Sequence, residues 1–197
     1  MASVWDPVVG QDHAVGLLRQ LVDSPVHGYL FIGPEGCGKE QAARAFASCL
    51  INGSEDATTN EARLIAEGSY IDVHEVRREG AAISADQAQD LVLLASRSPV
   101  ESKMVVIILH DIHFMSEAAV VRLLKTFEEP SDNVRFILLT DSVIPLLVTV
   151  ASRCVNVTFG EIPTETIEQT LVAEGIAIDL ARSVALGARG SLERARL

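Results

Sequence analysis

The sequence predicts an α/β fold in which a five-stranded, mostly parallel sheet is flanked by helices and followed by the start of a small all-helical domain. Strand-like apolar runs alternate with helical patterns along most of the 197 residues, which is typical of a parallel sheet. Residues 104–109 are apolar without interruption, as expected of a central strand covered on both faces. A glycine-rich turn at 33–40 lies between a strand-like run and a helical pattern, and such turns form ligand sites at one edge of the sheet.

Helix and strand alternate around that turn in the first part of the chain. Val15, Leu18 and Leu21 share one helical face, and Pro25 ends this first helix. The Asn52-Gly53 pair ends the helix that follows the turn. In order, the predicted elements are a helix at 12–23, a strand at 27–32, a helix at 41–51, a short helix at 61–66 and a strand at 70–76.

Capping residues mark the helices of the second part. Ser84 and Gln87 have the spacing of a capping box. Ser116 caps the next helix, which Pro130 terminates. In order, the predicted elements are a helix at 84–96, a strand at 104–109, a helix at 116–129, a strand at 134–139, a short helix at 144–151 and a strand at 155–159.

The character of the sequence changes at Gly160. Pro163-Thr164 opens a helix at 165–174, a second helix is expected at 178–188, and a third opens after Gly190. The sequence therefore predicts an α/β domain over residues 1–160 and an incomplete helical domain over residues 161–197.

Composition disfavours several classes of protein. The formal net charge is −11 and the pI is near 4.8, which disfavours tight autonomous binding to a nucleic-acid backbone but permits a local contact within an assembly. The three cysteines suggest neither a metal motif nor a disulfide framework, and residues 1–6 do not resemble a signal peptide, so a cytoplasmic protein is predicted. No apolar run approaches the roughly 18 residues that span a bilayer, so no membrane partner is expected.

The glycine-rich turn has the pattern of a phosphate cradle. Gly33, Gly36 and Gly38 let backbone N–H groups approach an anion, and Lys39 can reach the β- and γ-phosphates of a nucleotide. The pattern G-x-x-x-x-G-K-[ST] fits except at its last position, where Glu40 replaces the hydroxyl that would hold Mg²⁺. Glu40 suits a helix N-terminus but would repel a β-phosphate, so the residues leave open whether ATP or ADP binds. A tight strand-to-helix turn without a ligand is the simpler alternative.

Polar residues also follow the apolar run at 104–109. The spacing of His110, Asp111 and His113 matches no metal-ligand pattern, so polar strand-end residues and no metal site are expected. As a structural alternative to nucleotide binding, Lys39 could form a salt bridge with Asp111 across an empty cradle.

Four further stretches carry a family resemblance. Residues 123–130 read Leu-Leu-Lys-Thr-Phe-Glu-Glu-Pro, 152–154 read Ser-Arg-Cys, 9–11 read Val-Gly-Gln and 136–140 read Phe-Ile-Leu-Leu-Thr. Together with the glycine-rich turn, they resemble P-loop AAA+ ATPases of the DNA clamp-loader group, and within it the delta-prime subunits of bacterial DNA polymerase III. The first two motifs, in this order and spacing, are more specific than the turn alone.

The resemblance also shows where this chain departs from active members. The Walker B acidic pair, which helps to hold Mg²⁺ and polarises the attacking water, falls on His110 and Asp111. Glu40 makes the Walker A motif degenerate as well. At the sensor 2 position, where active members carry an arginine, this chain has Glu193 with Arg194 beside it. Three parts of the hydrolysis apparatus are therefore altered together, and little intrinsic ATPase activity is expected.

The resemblance implies a non-hydrolysing, stator-like subunit of the clamp loader of bacterial DNA polymerase III. Such a subunit helps an ATP-driven pentamer to load the sliding clamp on primed DNA. Arg153 of the Ser-Arg-Cys motif would act in trans as an arginine finger on a neighbouring subunit, and Thr140 would be a sensor 1-like residue. The implied partners are the gamma/tau motor subunits and the delta subunit and, indirectly, the clamp and primed DNA.

Two features of the group are expected to be missing. Many relatives have a four-cysteine zinc module after the cradle helix, but residues 52–72 contain no cysteine, so no zinc is expected. The group's helical collar domain is also lacking, so the chain is expected to be the N-terminal portion of a longer subunit.

Two alternatives to this function stay open. The first is an active gamma/tau-like loader ATPase, in which Glu40 itself binds Mg²⁺ and Asp111 acts on water. The second is another AAA+ remodeller, which should show an intact acidic pair in place of His110-Asp111.

Overall fold

The computed structural model describes residues 2–197; Met1, at which the first predicted domain begins, lies outside it. Its centre is a five-stranded sheet with the order β2-β3-β4-β1-β5, and each neighbouring pair is parallel. The predicted five-stranded parallel sheet is thus confirmed. The strands are β1 (Gly28–Ile32), β2 (Val73–Val76), β3 (Val105–Leu109), β4 (Val134–Thr140) and β5 (Val155–Thr158).

Helices connect the strands and continue beyond the sheet. Short 3₁₀ turns at Ile112–Phe114 and Pro145–Leu147 add to them. The α-helices are α1 (Asp12–Val22), α2 (Lys39–Asn52), α3 (Asn60–Ala66), α4 (Ala85–Ala95), α5 (Glu117–Glu128), α6 (Val148–Ala151), α7 (Thr164–Ala173), α8 (Ile178–Ala188) and α9 (Leu192–Ala195).

The sheet is covered on both faces, which is why β3 is apolar at every position. Val106 and Ile108 pack into the core formed with α1, α2 and α3. Val105, Ile107 and Leu109 point the other way, into the core formed with α4, α5 and α6. Because side chains alternate along a strand, only an unbroken apolar run fills both cores.

The predicted helix ends form as the capping residues indicate. The hydroxyl of Ser84 accepts from the backbone N–H of Gln87, whose side chain reciprocates, so the capping box is present. Ser116 caps α5 through the N–H of Ala119. Gly53 ends α2 in the left-handed conformation, with φ of 65°.

The second strand is shorter than the sequence predicts. It begins at Val73 rather than at Tyr70, because the N–H of Val73 closes a turn onto the Tyr70 carbonyl. Within that turn the buried Asp72 carboxylate accepts three backbone N–H bonds at 2.7, 2.8 and 2.7 Å, from Val100, Glu101 and Ser102. This carboxylate organises the segment that leads into β3.

The C-terminal helical segment, residues 161–197, has its own apolar cluster. Ile162, Ile167 and Leu171 pack against the alanines of α8, which are Ala181, Ala185 and Ala188. Leu192 and Ala195 of α9 complete the cluster. Among residues 2–197, no helix combines the length and the apolar character that crossing a membrane requires.

Asp72 supports a prediction about stability and pH. Burial opposes ionisation of Asp72, but the three N–H donors outweigh it and keep its pKa below the ordinary value. A depressed carboxyl pKa contributes stability above the unfolded-state pKa, and this contribution is lost as pH falls through the folded-state pKa. We expect Asp72→Asn to lower the free energy of unfolding by about 2 kcal/mol at pH 7, and the deficit to shrink below about pH 4.

Urea unfolding of both proteins across pH measures this deficit. Asp90→Asn, on the exposed face of α4, is the matched control and should be neutral. An Asp72→Asn deficit that is the same at pH 3 and pH 7 would contradict a depressed pKa of Asp72 in the folded chain.

Candidate nucleotide site

The turn between β1 and α2 needs glycine at three positions. Gly36 and Gly38 have φ of 73° and 94°, in the left-handed region that disfavours other residues. A Cβ on Gly33 would lie 2.6 Å from the carbonyl oxygen of Phe159. The backbone therefore has the form of a phosphate cradle at the carboxyl edge of the sheet, as the sequence predicts.

Lys39 is held by groups of the protein itself. Its side chain is buried, and Nζ donates to the carbonyl oxygens of Gly33 and Pro34, at 2.8 and 3.1 Å. Nζ also forms a 2.7 Å salt bridge with the carboxylate of Asp141. The predicted Lys39–Asp111 pair is therefore wrong. Because β4 adjoins β1 whereas β3 lies one strand farther away, the residue that follows β4 is the one that reaches the cradle.

Asp111 and Thr140 also lie at this edge of the sheet. Asp111 follows β3 and has a left-handed backbone, with φ of 54° and ψ of 41°. Thr140 ends β4 and is fully buried, and its hydroxyl donates to the Ser142 carbonyl at 2.8 Å. Its own carbonyl accepts from the N–H of Gly33 at 3.1 Å, so the sensor 1-like position is tied directly to the cradle.

Glu40 belongs to a chain of alternating charges. Its carboxylate accepts from Arg77 at 2.7 Å and lies 3.4 Å from Nδ1 of His110. The other ring nitrogen of His110 lies 3.3 Å from Glu75, which in turn accepts from Arg44 at 2.9 Å. The order along the chain is thus arginine, glutamate, histidine, glutamate, arginine. We call these five side chains the charge network.

His110 stands at the centre of the charge network and is 1% exposed. Its burial opposes protonation, but the carboxylates of Glu40 and Glu75 outweigh burial and raise its pKa. Only the doubly protonated ring can donate to both carboxylates at once.

The two glutamates of the charge network titrate in the opposite direction. His110 lowers the pKa of Glu40 to about 2, against burial and with help from Arg77. Burial also opposes ionisation of Glu75, but the bonds from His110 and Arg44 bring its pKa to about 2. Both glutamates therefore stay charged, and each lies between two cationic partners, Glu40 between Arg77 and His110 and Glu75 between His110 and Arg44.

The charge network does not fit a magnesium ion. The two positions that the family resemblance connects with metal binding, Glu40 and His110, contact each other instead. A divalent cation between them would face an imidazolium ring and the guanidinium group of Arg77, and like charges repel strongly in a partly buried site. Among residues 2–197, no group of three or more His, Cys, Asp or Glu side chains has a metal-binding arrangement.

The C-terminal helical segment closes over the cradle. The N–H of Leu192 donates to the Gly36 carbonyl at 3.0 Å, and a Cβ on Gly36 would lie 1.9 Å from the Ser191 hydroxyl oxygen. Glu193 and Arg196 line the cavity between this segment and the turn, which has a volume of about 560 Å³, whereas Arg194 is not among the lining residues.

Gln11 joins three parts of the site. It is 5% exposed, and its amide nitrogen donates to the carbonyls of Cys37 and Gly160 at 2.9 and 2.7 Å. Its amide oxygen accepts from the N–H of Gly160 at 3.2 Å. One buried side chain thus links the N-terminal segment, the cradle and the residue at which the C-terminal helical segment departs.

Arg153 lies at the amino ends of the strands, on the side of the sheet opposite to the cradle. It precedes β5, and a Cβ on Gly28, at the start of β1, would lie 3.8 Å from its carbonyl oxygen. Its side chain is 34% exposed and forms a 2.7 Å salt bridge with Glu128. The structure therefore brings Gly33, Gly36, Gly38, Lys39, Glu40, Asp111 and Thr140 together and leaves Arg153 apart from them.

Sequence reasoning missed Asp141, Glu75, Arg77 and Arg44 as parts of the site. Asp141 and Arg77 directly follow β4 and β2, so their position at strand ends was a usable signal. Glu75 and Arg44 carried no such signal, because their contact depends on where the fold places α2 relative to β2.

Comparisons with known proteins identify relatives of this chain. A family model described as DNA polymerase III, delta subunit, matches residues 10–163. The chain is 32% identical over 163 residues to DNA polymerase III subunit delta' of Bacillus subtilis, a match that covers 81% of this chain and 50% of that protein. It is 30% identical over 183 residues to DNA polymerase III subunit tau of Escherichia coli, covering 87% of this chain and 28% of that protein. The chain thus spans at most about half the length of these relatives.

Solved structures show the same fold. A DNA polymerase III gamma subunit-related protein of Thermotoga maritima superposes with a TM-score of 0.67 at 22% identity, covering 93% of this chain and 58% of that one. A RuvB variant of the same organism gives a TM-score of 0.62 at 17% identity, covering 95% and 59%. The AAA+ fold expected from the sequence is confirmed.

The charge network predicts a stability maximum in mildly acidic solution. The depressed pKa values of Glu40 and Glu75 contribute stability above their ordinary value of 4.5, and this is lost as pH falls toward 2. The raised pKa of His110 contributes stability below its ordinary value of 6.5, and this is lost as pH rises through the folded-state pKa. The network's contribution is therefore largest between pH 4.5 and 6.5.

His110→Asn tests the alkaline side of this maximum. The free energy of unfolding of the unaltered chain should decline above neutral pH relative to that of the variant, because only the unaltered chain loses an imidazolium. Urea unfolding between pH 5 and 9 measures the difference, with exposed His13→Asn as the control. A difference that does not vary with pH would show that His110 is neutral in the folded chain.

Proposed function

The chain belongs to the family of DNA polymerase III clamp-loader subunits, and from this premise we propose that it is the delta-prime-type, non-hydrolysing subunit of a clamp loader. In this role it would act as a stator-like member of an ATP-driven pentamer that loads the sliding clamp on primed DNA. Its proposed partners are the gamma/tau motor subunits and the delta subunit, with the clamp and DNA engaged through them, and its proposed location is the cytoplasm.

The contact between Glu40 and His110 is the observation that carries this proposal. Phosphoryl transfer depends on positioning and on compensation of charge by a metal ion, with little covalent chemistry from the protein. The two residues at the metal-binding positions neutralise each other at 3.4 Å, and each has a further partner within the charge network. A subunit with this arrangement is poorly suited to hydrolyse ATP itself.

A bound nucleotide is not required in this proposal. The carboxylate of Asp141 already satisfies Lys39, so a phosphate would have to displace one anion to gain the same cation. The backbone of the cradle remains suited to an anion, and ATP or ADP binding without hydrolysis is compatible with the role. No zinc is part of this proposal, because residues 52–72, where relatives have a four-cysteine module, contain no cysteine.

Arg153 is the proposed contribution of this subunit to catalysis by its neighbour. Its guanidinium group is partly exposed at the edge of the sheet opposite to the chain's own cradle, so it cannot serve that cradle. A planar guanidinium group suits the stabilisation of negative charge on a transferring phosphoryl group. We therefore assign it the role of an arginine finger in trans.

An active gamma/tau-like ATPase remains the second candidate, because gamma/tau relatives match this chain as well as the delta-prime relative does. In that case Glu40 would have to leave Arg77 and His110 in order to hold Mg²⁺. The likeness to RuvB shows the fold alone and does not favour a remodelling function.

Arg153→Ala should slow ATP hydrolysis by a loader reconstituted with the gamma/tau and delta subunits. An arginine finger raises kcat by about 10³–10⁵-fold, so ATP hydrolysis at the one nucleotide site that faces this subunit should nearly cease. Arg182→Ala, which removes an exposed arginine paired with Glu168, is the matched control. An unchanged rate in a fully assembled Arg153→Ala loader would remove the trans role.

Glu40→Thr combined with His110→Asp should restore magnesium-dependent nucleotide binding. The double variant replaces an internally compensated pair with a hydroxyl and a carboxylate, which are the oxygen ligands that Mg²⁺ prefers. Titration calorimetry with ATP should show tighter binding with Mg²⁺ than without it for the variant only. Brisk steady-state turnover by the unaltered chain, or Mg²⁺-dependent binding to it, would favour the ATPase alternative.

A further inference from the structure

Arg153 is held between the ends of two helices. Its Nη2 donates to the carboxylate of Glu128, the last residue of α5, at 2.7 Å. Its Nη1 donates to the carbonyl oxygen of Thr149, in the short helix α6, at 2.8 Å. The guanidinium group is therefore docked in one orientation.

The end of α5 is an unfavourable place for a carboxylate. Glu128 and Glu129 both lie at this C-terminus, where the helix dipole already concentrates negative charge. Lys125 is the only basic residue of the last turn. Within residues 2–197, Glu128 forms an ion pair with Arg153, whereas Glu129 takes part in no salt bridge. The guanidinium group thus offsets a local excess of negative charge.

Glu128 and a triphosphate offer the same guanidinium group similar anionic oxygens. Side-chain exposures of 34% for Arg153 and 50% for Glu128 show that solvent and a partner can reach this pair. Because exposed ion pairs contribute little net stability, the guanidinium group can exchange one anion for the other.

Resting on the proposed trans role of Arg153, we infer that Glu128 is a positioning residue that keeps the guanidinium group docked and releases it to the triphosphate of the neighbouring subunit. Glu128 thereby holds the guanidinium group in place and also competes with the neighbour's triphosphate for it. Removal of the Glu128 carboxylate should ease transfer of the guanidinium group to the triphosphate, because no ion pair then has to break first.

Kinetics of the reconstituted loader test this inference. Glu128→Gln should raise kcat/KM for ATP hydrolysis by about two- to fivefold, the range expected when an exposed ion pair is lost. Glu129→Gln is the matched control at the same helix end and should leave kcat/KM unchanged. In the Arg153→Ala background, Glu128→Gln should have no effect, because the group on which it acts is gone.

A second measurement follows Arg153 in the chain without its partners. Modification by phenylglyoxal, monitored by mass spectrometry, should be about two- to fivefold faster at Arg153 in Glu128→Gln than in the unaltered chain or in Glu129→Gln. A merely structural role for Glu128 would not single out this side chain.

The two proposals fail in distinguishable ways. Hydrolysis unaffected by Arg153→Ala overturns the trans role itself. Hydrolysis reduced by Arg153→Ala but unchanged or lowered by Glu128→Gln leaves the trans role in place and overturns the inference about Glu128. Equal phenylglyoxal reactivity of Arg153 with and without Glu128 also overturns it.

Discussion

The contact between the carboxylate of Glu40 and the imidazole ring of His110 determines the electrostatics of the cradle. One residue opens α2 and the other follows β3, so the contact exists only because the sheet brings the two chain segments to the same edge. Neither charged side chain would be favourable at this position without the other. An unpaired buried histidine would lose its charge, and an unpaired glutamate would repel any anion in the cradle. Together with Glu75, Arg44 and Arg77 they form a network of alternating charges in place of a metal site.

The cradle keeps its backbone form, while its Lys39 side chain is paired within the protein and the turn is bonded to neighbouring segments. Asp141 occupies Lys39, and the Leu192 N–H is bonded to the Gly36 carbonyl. Gln11 adds a buried link to Gly160, at which the C-terminal helical segment departs. These contacts join the cradle to the N-terminal segment and to the C-terminal helical segment through the protein itself.

The opposite edge of the sheet has a different chemistry. The residue of interest there, Arg153, is partly exposed and rests against the acidic end of α5. Its ion pair is accessible to solvent, whereas the central histidine of the charge network is almost fully buried. A network centred on a buried histidine holds the fold in one state, and an exposed, weakly held pair can exchange partners. The two edges therefore fit the two parts of the proposed role, one inert and one available to a neighbour.

The sequence by itself determined the class of fold, the order of its elements and the position of the cradle. Periodicity, the unbroken run at 104–109 and the caps at Ser84 and Ser116 are local signals, and they survive in the structure because tertiary packing agrees with them. Only the tertiary structure decided the partners of the charged side chains. Lys39 pairs with Asp141 rather than with Asp111, because the order of strands in the sheet determines which strand end adjoins the cradle. No local pattern along the chain encodes that order.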